Sequence, residues 1–297
     1  MRRAISGAAI VDLQWEEVGA ILPFVRGINP SARIVCTLHD VLSQRFSRSR
    51  DRATTPLRRL RWAWAAMLAR RLEQALMRRA DEVVVLSEKD RGLLPPGRAR
   101  VHVVNPPLAP DEPPSGRTPE PGAMLFVAAL YRWDNAEGLT WFITECLPLI
   151  KRRVPSAKLR VAGAGAGLEL RSLAAAQGVE LLDFVEDLAP LYAQAAVVVV
   201  PLLHGAGTKF KVIDALVTGV PVVTTSVGAE GIGTELHYAG VMDQAVEFAE
   251  RVVDVLENSV HFEQRAREAQ NWAMAHYGRE QFLASMERIY AMGEQRA

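Results

Sequence analysis

The residues best equipped for chemistry lie between Gly205 and Asp214, within HGAGTKFKVIDALVTG. Gly205 and Gly207, with Ala206 between them, permit a tight turn that leaves backbone amides exposed. Thr208 follows, and a helix is expected over about Thr208–Thr218, stopped by Gly219. Lys209 and Lys211 then fall in its first turn. A helix N-terminus already carries roughly half a positive charge, so two lysines there are unfavourable unless an anion sits among them. Amides, dipole and cations converging on one point describe a phosphate or diphosphate site. Asp214 lies three residues after Lys211 and shares its face. It is either the ion-pair partner of Lys211 or, one turn inside an anion-binding helix, an acceptor for ribose hydroxyls. Base before acid is the poorer order for a helical pair, which favours the second role.

Three further motifs carry weaker signals. His39 follows an apolar run in ARIVCTLHD, which places it at the carboxyl edge of a parallel sheet, where ligands bind. A lone histidine is also a common structural residue; as a functional one, it would have Asp40 to orient it, with Ser43 and Arg45 lining the cleft. Ser87 in VVVLSEKD reads first as a helix N-cap, with Asp90 completing a capping box. Gly163-x-Gly165-x-Gly167 matches two of the three glycine positions of a dinucleotide fingerprint and lacks the third, so a nicotinamide site is set aside.

The stretch HGAGTKFKVIDALVTGVPVVTTSVGAEGI resembles the signature of the family 4 retaining glycosyltransferases of GT-B fold. LFVAALYRWDNAEGLTWFITECLPLIKRRVPSAKLRVAG resembles the opening of their nucleotide-sugar domain, and FVEDLAPLYAQAAVVVVPL a later phrase of it. The resemblance implies an α/β protein of GT-B type, with two Rossmann-like parallel-sheet domains facing a cleft, the first one incomplete. It implies a hexosyltransferase-type enzyme of glycan or polysaccharide biosynthesis that moves a sugar from a nucleotide-diphosphate sugar to an acceptor hydroxyl with retention. Lys209 and Lys211 would hold the donor diphosphate, Asp214 the ribose, and Gly205, Ala206, Gly207 and Thr208 the phosphate and sugar. Phe184 and Val185 would lie near the base. Glu230 belongs to the Gly-x-Glu-Gly turn of the donor site, and His39 would face the donor. Negative charge grows on the departing diphosphate, so fixed cations and amides stabilise the transition state. No Asp-x-Asp metal motif is present, and no cofactor or metal is expected beyond the donor itself.

Two departures bear on this reading. Many relatives carry two glutamates eight positions apart; the second corresponds to Asp214, but the first falls on Ala206. The first domain is also short, as a truncated start or as a natural reduced form. The alternative function is a non-catalytic nucleotide-sugar-binding protein of the same fold; an epimerase matches the motifs less well.

These residues need a scaffold, and the apolar pattern supplies one. Strands are expected at Ala8–Leu13, Arg33–Leu38, Glu82–Leu86 and Val101–Val104, then at Met124–Ala129, Leu159–Ala162, Glu180–Phe184, Val197–Val200 and Val220–Thr225. Helical patterns at Trp15–Arg26, Pro56–Arg79, Leu139–Arg153, Leu168–Gln177, Leu188–Ala195 and Ala245–Leu256 alternate with them. Repeated βα units imply parallel, doubly wound sheets. Asn105–Gly122 holds seven of the seventeen prolines and reads as a linker. The domains are then 1–104 on the acceptor side, 123–277 for the nucleotide sugar, and 278–297 as a helix crossing back to the first domain.

Charge divides along the same line: residues 1–104 carry +9 and the remainder −8. The arginine-rich stretch Arg45–Arg79, with Trp62 and Trp64, fits peripheral contact with an anionic membrane that presents a lipid-linked acceptor. A core-packed amphipathic helix is its plainer reading. No recognition motif for nucleic acid accompanies the charge. No apolar run is long enough to span a membrane, and the two cysteines have no metal spacing, so a cytoplasmic location, peripheral at the inner face, is expected.

Overall fold

The computed structural model describes residues 1–114 and 116–291. The chain divides into two compact units. Of the described residues, the first comprises Met1–Pro107, the loop Gly205–Thr208 and residues 280–291; the second comprises Leu108–His204 and Lys209–Arg279.

The first unit holds a four-stranded sheet in the order β1 (Ile10–Gln14), β2 (Arg33–Leu38), β3 (Glu82–Val85), β4 (Arg100–Val103). Every pairing is parallel, with Gln14 opposite Thr37 and Val35 opposite Glu82. Alternate residues feed opposite faces. Ile34, Cys36, Val83 and Val85 pack with Leu22, Val25 and Leu76, while Val35 and Val84 meet Met286 and Ile289 of helix Arg279–Ala291. Burial on both faces explains the continuous apolar reading of these strands.

The second unit holds six parallel strands, β5 (Ala123–Val127), β6 (Lys158–Ala162), β7 (Glu180–Leu181), β8 (Val197–Val200), β9 (Val222–Thr224) and β10 (Gly240–Val241). Their spatial order is β10-β9-β8-β5-β6-β7. Val197 and Val199 lie in one core cluster and Val198 and Val200 in the other, as the two faces of a buried strand require. The chain runs outward from β5 through β7, then returns to β8 on the other side of β5. The carboxyl ends of β5 and β8 therefore flank a topological switch point, where open α/β sheets bind ligands.

Several elements depart from the sequence expectation for identifiable reasons. The strand expected to reach Phe184 stops at Leu181. Asp183 turns to φ +52°, its carbonyl accepting from Gly163 N at 2.6 Å and its carboxylate pairing with Arg171. The helix expected from Leu139 begins at Trp133 and loosens into a π turn over Phe142–Cys146. Pro148 cannot donate to the preceding turn, and the wider turn accommodates its ring. Trp15–Arg26 splits into a 3₁₀ turn, Glu16–Ile21, and a helix, Leu22–Ile28, so Leu22 and Val25 are buried while Trp15 and Val18 are exposed. Asn105–Gly122 has no regular structure, but its later half lies against the second unit. The Arg117 guanidinium donates to Gly219 O at 2.6 Å and Ala195 O at 2.7 Å. The last helix, expected within 278–297, is described over Arg279–Ala291, and residues 292–297 lie outside the described residues.

Candidate functional site

At the switch point the expected helix proves shorter, Phe210–Val217, because Lys209 is its N-cap rather than part of its first turn. Among the described residues Lys209 makes no side-chain cap to this helix, whose start carries the positive end of the dipole toward an incoming anion. Lys209 is only 7% exposed, and its Nζ lies 3.9 Å from Glu230 Oε2. Lys211, at the second helical position, extends across the switch point and donates from Nζ to Asn135 Oδ1. It also lies 5.9 Å from the Phe126 ring centroid.

Asn135 comes from helix Trp133–Trp141, which follows β5. Its Nδ2 donates to Ala129 O at 2.8 Å, which turns its oxygen toward Lys211. Gly138 allows this helix to sit on the end of β8, since a Cβ there would come within 2.3 Å of Pro201 O. Gly163 makes the neighbouring approach possible: a Cβ would lie 1.7 Å from Ala128 O. The Gly163-x-Gly165 pair thus serves close packing of the β5 and β6 loops.

Burial shapes the charges. Desolvation pushes the Lys211 amine down to about 8, with Asp134 opposing and Arg132 and Lys209 reinforcing the shift. Desolvation also raises the Asp214 carboxyl to about 6. Among the described residues no ion pair joins Lys211 to Asp214, so Asp214 is not the helical partner that spacing allowed. Tyr192 OH is buried without a hydrogen-bond partner, and its phenol is raised by burial and then by Asp214. At the end of β7, Phe184 is 78% exposed and Val185 half-buried.

His39 lies in the first unit, directly after β2, where the sequence placed it. Gln14 and Trp15 hold it; the hydrogen bond expected from Asp40 is absent among the described residues. Its Nε2 is 3.1 Å from Gln14 Oε1 and its ring stacks on Trp15. The Asp40 carboxyl is raised mainly by burial, and its Oδ1 has no hydrogen-bond partner. Ser43 N and Oγ donate to the buried Glu73 at 2.9 and 2.8 Å. Ser87 caps helix Glu88–Leu93, accepting from Asp90 N at 3.1 Å. The loop Gly205–Thr208 belongs to this unit, where Arg48 donates to Gly205 O and Gly207 takes φ +69°. The structure thus gathers Lys209, Lys211, Asp214 and Glu230 in one unit, and His39 with Gly205, Ala206, Gly207 and Thr208 in the other. Asn135, Gln14 and Trp15 escaped the sequence reading. Asn135 carried one signal, its place at a helix start after a strand.

Residues 121–258 match the family described as Glycosyl transferases group 1. A Klebsiella pneumoniae protein described as an uncharacterized 44.6 kDa protein in the cps region is 27% identical over 172 residues, covering 55% of this chain and 44% of that protein. Anabaena HepE, solved with UDP and glucose, superposes with a TM-score of 0.73 at 15% identity, over 98% of this chain and 80% of its own. A variant of S. aureus TarM, solved with fondaparinux, α-GlcNAc-glycerol and UDP, gives 0.68 at 12% identity, over 92% of this chain and 54% of TarM. The chain thus spans about half the length of some of the proteins it matches. The fold is the α/β GT-B fold with parallel sheets expected from the sequence. Together with the family match it supports a GT-B glycosyltransferase.

Proposed function

We propose that the chain transfers a sugar from a nucleoside-diphosphate sugar to an acceptor hydroxyl, with retention at the anomeric carbon, as a hexosyltransferase-type enzyme of the family 4 pattern. One observation carries this reading. The buried Lys209, the half-buried Lys211 and the start of a helix converge at the switch point of the second sheet, with Glu230 beside one ammonium and Asn135 accepting from the other. A diphosphate is the anion that two lysines and a helix dipole at one point favour. Lys209 and Lys211 stabilise it as it leaves, in the place of a metal, and the departing phosphate takes the proton of the attacking hydroxyl. Asp214 accepts from the ribose, Phe184 and Val185 take the base, and Glu230 completes the donor site. Gly205, Ala206, Gly207 and Thr208 take phosphate and sugar, and His39 serves the sugar.

The acceptor is a glycan or a lipid-linked sugar. Helix Pro56–Arg79 favours the second. A core-packed amphipathic helix was its plainer reading, and Leu72 and Leu76 do face the core. Leu57, Leu60, Trp64, Met67 and Leu68 are exposed along one face, Trp64 by 60%. Arg58, Arg59, Arg61 and Arg71 surround them, also exposed. An apolar strip within arginines suits an anionic bilayer surface, and peripheral attachment at the inner face of the membrane belongs to this proposal. Among the described residues no helix is long and apolar enough to cross a membrane.

Calorimetry with UDP, GDP and ADP on the wild type and Lys211→Ala tests the donor site. One nucleotide is expected to bind, and the variant to lose it. Turnover with sugars of that nucleotide, followed by NMR of the anomeric proton, reads retention. Failure of all three to bind folded protein overturns the proposal.

A further inference from the structure

The end of β1 carries a cost that burial does not repay. Trp15 adopts φ +74° and ψ +141°, a backbone conformation that is an outlier for a bulky side chain. Such a conformation is strained and persists only where its surroundings impose it. Here the side chain is 57% exposed. The backbone is pinned by Trp15 N donating to Thr37 O at 2.9 Å. In return the indole lies flat on the His39 imidazole, with centroids 4.2 Å apart and planes 16° from parallel.

The adjacent residue fixes the edge of the same ring. Gln14 Nε2 donates to Asp12 Oδ2 at 2.9 Å and to Thr37 Oγ1 at 3.2 Å. Its amide oxygen, 3.1 Å from His39 Nε2, therefore faces the ring as an acceptor. An acceptor there requires the proton on Nε2, leaving a lone pair on Nδ1. Asp12 is itself held by Tyr290 OH, which donates to Oδ2 at 2.6 Å. Burial favours neutral imidazole, against the pull of Asp12. A chain of contacts from Tyr290 through Asp12 and Gln14 thus ends on one nitrogen of His39, while Trp15 covers its face.

We propose that Gln14 and Trp15 are positioning residues that clamp His39 as the Nε2–H tautomer, presenting Nδ1 as the acceptor for a hydroxyl of the bound sugar. The clamp is a property of the first unit alone; its use in transfer rests on the glycosyltransferase reading above. The strained indole is then explained by the ring orientation it enforces, since a misplacement of about 1 Å at a reacting centre can cost roughly a hundredfold in rate.

The test reads His39 directly. Two-bond ¹H–¹⁵N NMR of the full chain is expected to show His39 with Nε2 protonated and Nδ1 unprotonated. Trp15→Gly, which relieves the strain, is expected to keep or raise Tm while kcat falls roughly tenfold or more with little change in donor KM. Gln14→Met removes the acceptor and is expected to shift the His39 nitrogens toward a mixed-tautomer average; Gln14→Glu is expected to restore the Nε2–H form. An Nδ1–H histidine in the wild type, or nitrogen shifts unchanged in Gln14→Met, overturns the clamp. If turnover with every donor is absent while these shifts behave as stated, the function reading fails and the clamp stands.

Discussion

Lys211 Nζ donates to Asn135 Oδ1 across the switch point, joining residues that lie on different strands' exits, one after β8 and one after β5. The bond turns a flexible ammonium into a fixed one, and a fixed cation needs no reorganisation when a phosphate arrives. Asn135→Ala frees the lysine and leaves its charge half-buried without this acceptor. A hydrogen bond to a charged group is worth about 1.5–3 kcal/mol. Nucleoside-diphosphate affinity measured by calorimetry is therefore expected to weaken by roughly tenfold to a hundredfold, with the fold retained.

The same lysine opposes folding. Its amine sits at about 8 against an ordinary 10.5, chiefly through desolvation. Below pH 8 it is protonated both folded and unfolded, so the full penalty, on the order of 3 kcal/mol, applies there. The penalty fades as pH climbs from about 8 toward 10.5. Lys211→Met is expected to raise stability at pH 7 by about 2–3 kcal/mol in denaturant unfolding, with the gain shrinking above pH 8. It is also expected to abolish diphosphate binding. In the wild type, affinity should fall as pH rises through 8, because the anion selects the protonated amine. An affinity flat to pH 9.5 contradicts this assignment.

Asp214 carries the opposite sign. Its carboxyl, raised to about 6 by burial, is neutral in both states below its unfolded value of 3.8 and ionised in both above 6. It therefore costs stability increasingly from pH 3.8 to 6 and fully beyond. Asp214→Asn should stabilise by about 2–3 kcal/mol at pH 7 and hardly at pH 3.5. If Asp214 accepts from ribose, Asp214→Ala should also erase the preference for a ribonucleotide over its 2′-deoxy form. Competition binding of the two nucleotides reads that preference.

What could be read in the sequence followed from how far apart the cooperating residues lie along the chain. The valine run of β8, the glycine turn and both lysines fall within fifteen residues or so, and their types declare strand, turn and cation directly. Asn135 is brought to Lys211 only because β5 and β8 are neighbours, an order that periodicity does not encode. His39 was visible as a residue after a strand. Its clamp was not, because Gln14 and Trp15 reach it through the pairing of β1 with β2. Helix Pro56–Arg79 illustrates the remaining limit. A 3.6-residue stripe says that a face is apolar, and only the packing shows that Leu76 is covered while Trp64 is not.

Glu82 holds the first sheet by charge as well as by ladder bonds. Its carboxylate is fully buried at the start of β3, accepting from Arg33 at 2.7 Å, from His102 Nε2 at 2.7 Å and from Arg100. Desolvation raises its pKa, but these three donors outweigh it and bring the carboxyl down to about 2. Its contribution is therefore complete above the ordinary value of 4.5 and lost as pH falls toward 2. Glu82→Ala leaves the cations without their partner and is expected to cost about 3–5 kcal/mol at pH 7. The loss should narrow at pH 3, as thermal unfolding at the two pH values will show.

The exposed stripe on helix Pro56–Arg79 predicts selective membrane binding. Leu60 and Trp64 lie one turn apart on its open face, and Arg61 stands beside them. Burying each apolar side chain in the headgroup region contributes about 1–2 kcal/mol, and each arginine near an anionic surface about 1 kcal/mol. Both terms are needed, because arginines alone give adhesion that salt removes and an apolar strip alone does not select anionic lipid. Sedimentation with vesicles is expected to capture the chain on phosphatidylglycerol mixtures and far less on pure phosphatidylcholine. Leu60→Ser with Trp64→Ser should weaken capture by roughly tenfold or more while nucleotide affinity stays unchanged. Arg58→Gln with Arg61→Gln should reduce capture at low salt and flatten its salt dependence. Equal capture on neutral and anionic vesicles, or capture indifferent to Leu60 and Trp64, would remove the membrane from this proposal and return the stripe to a protein partner.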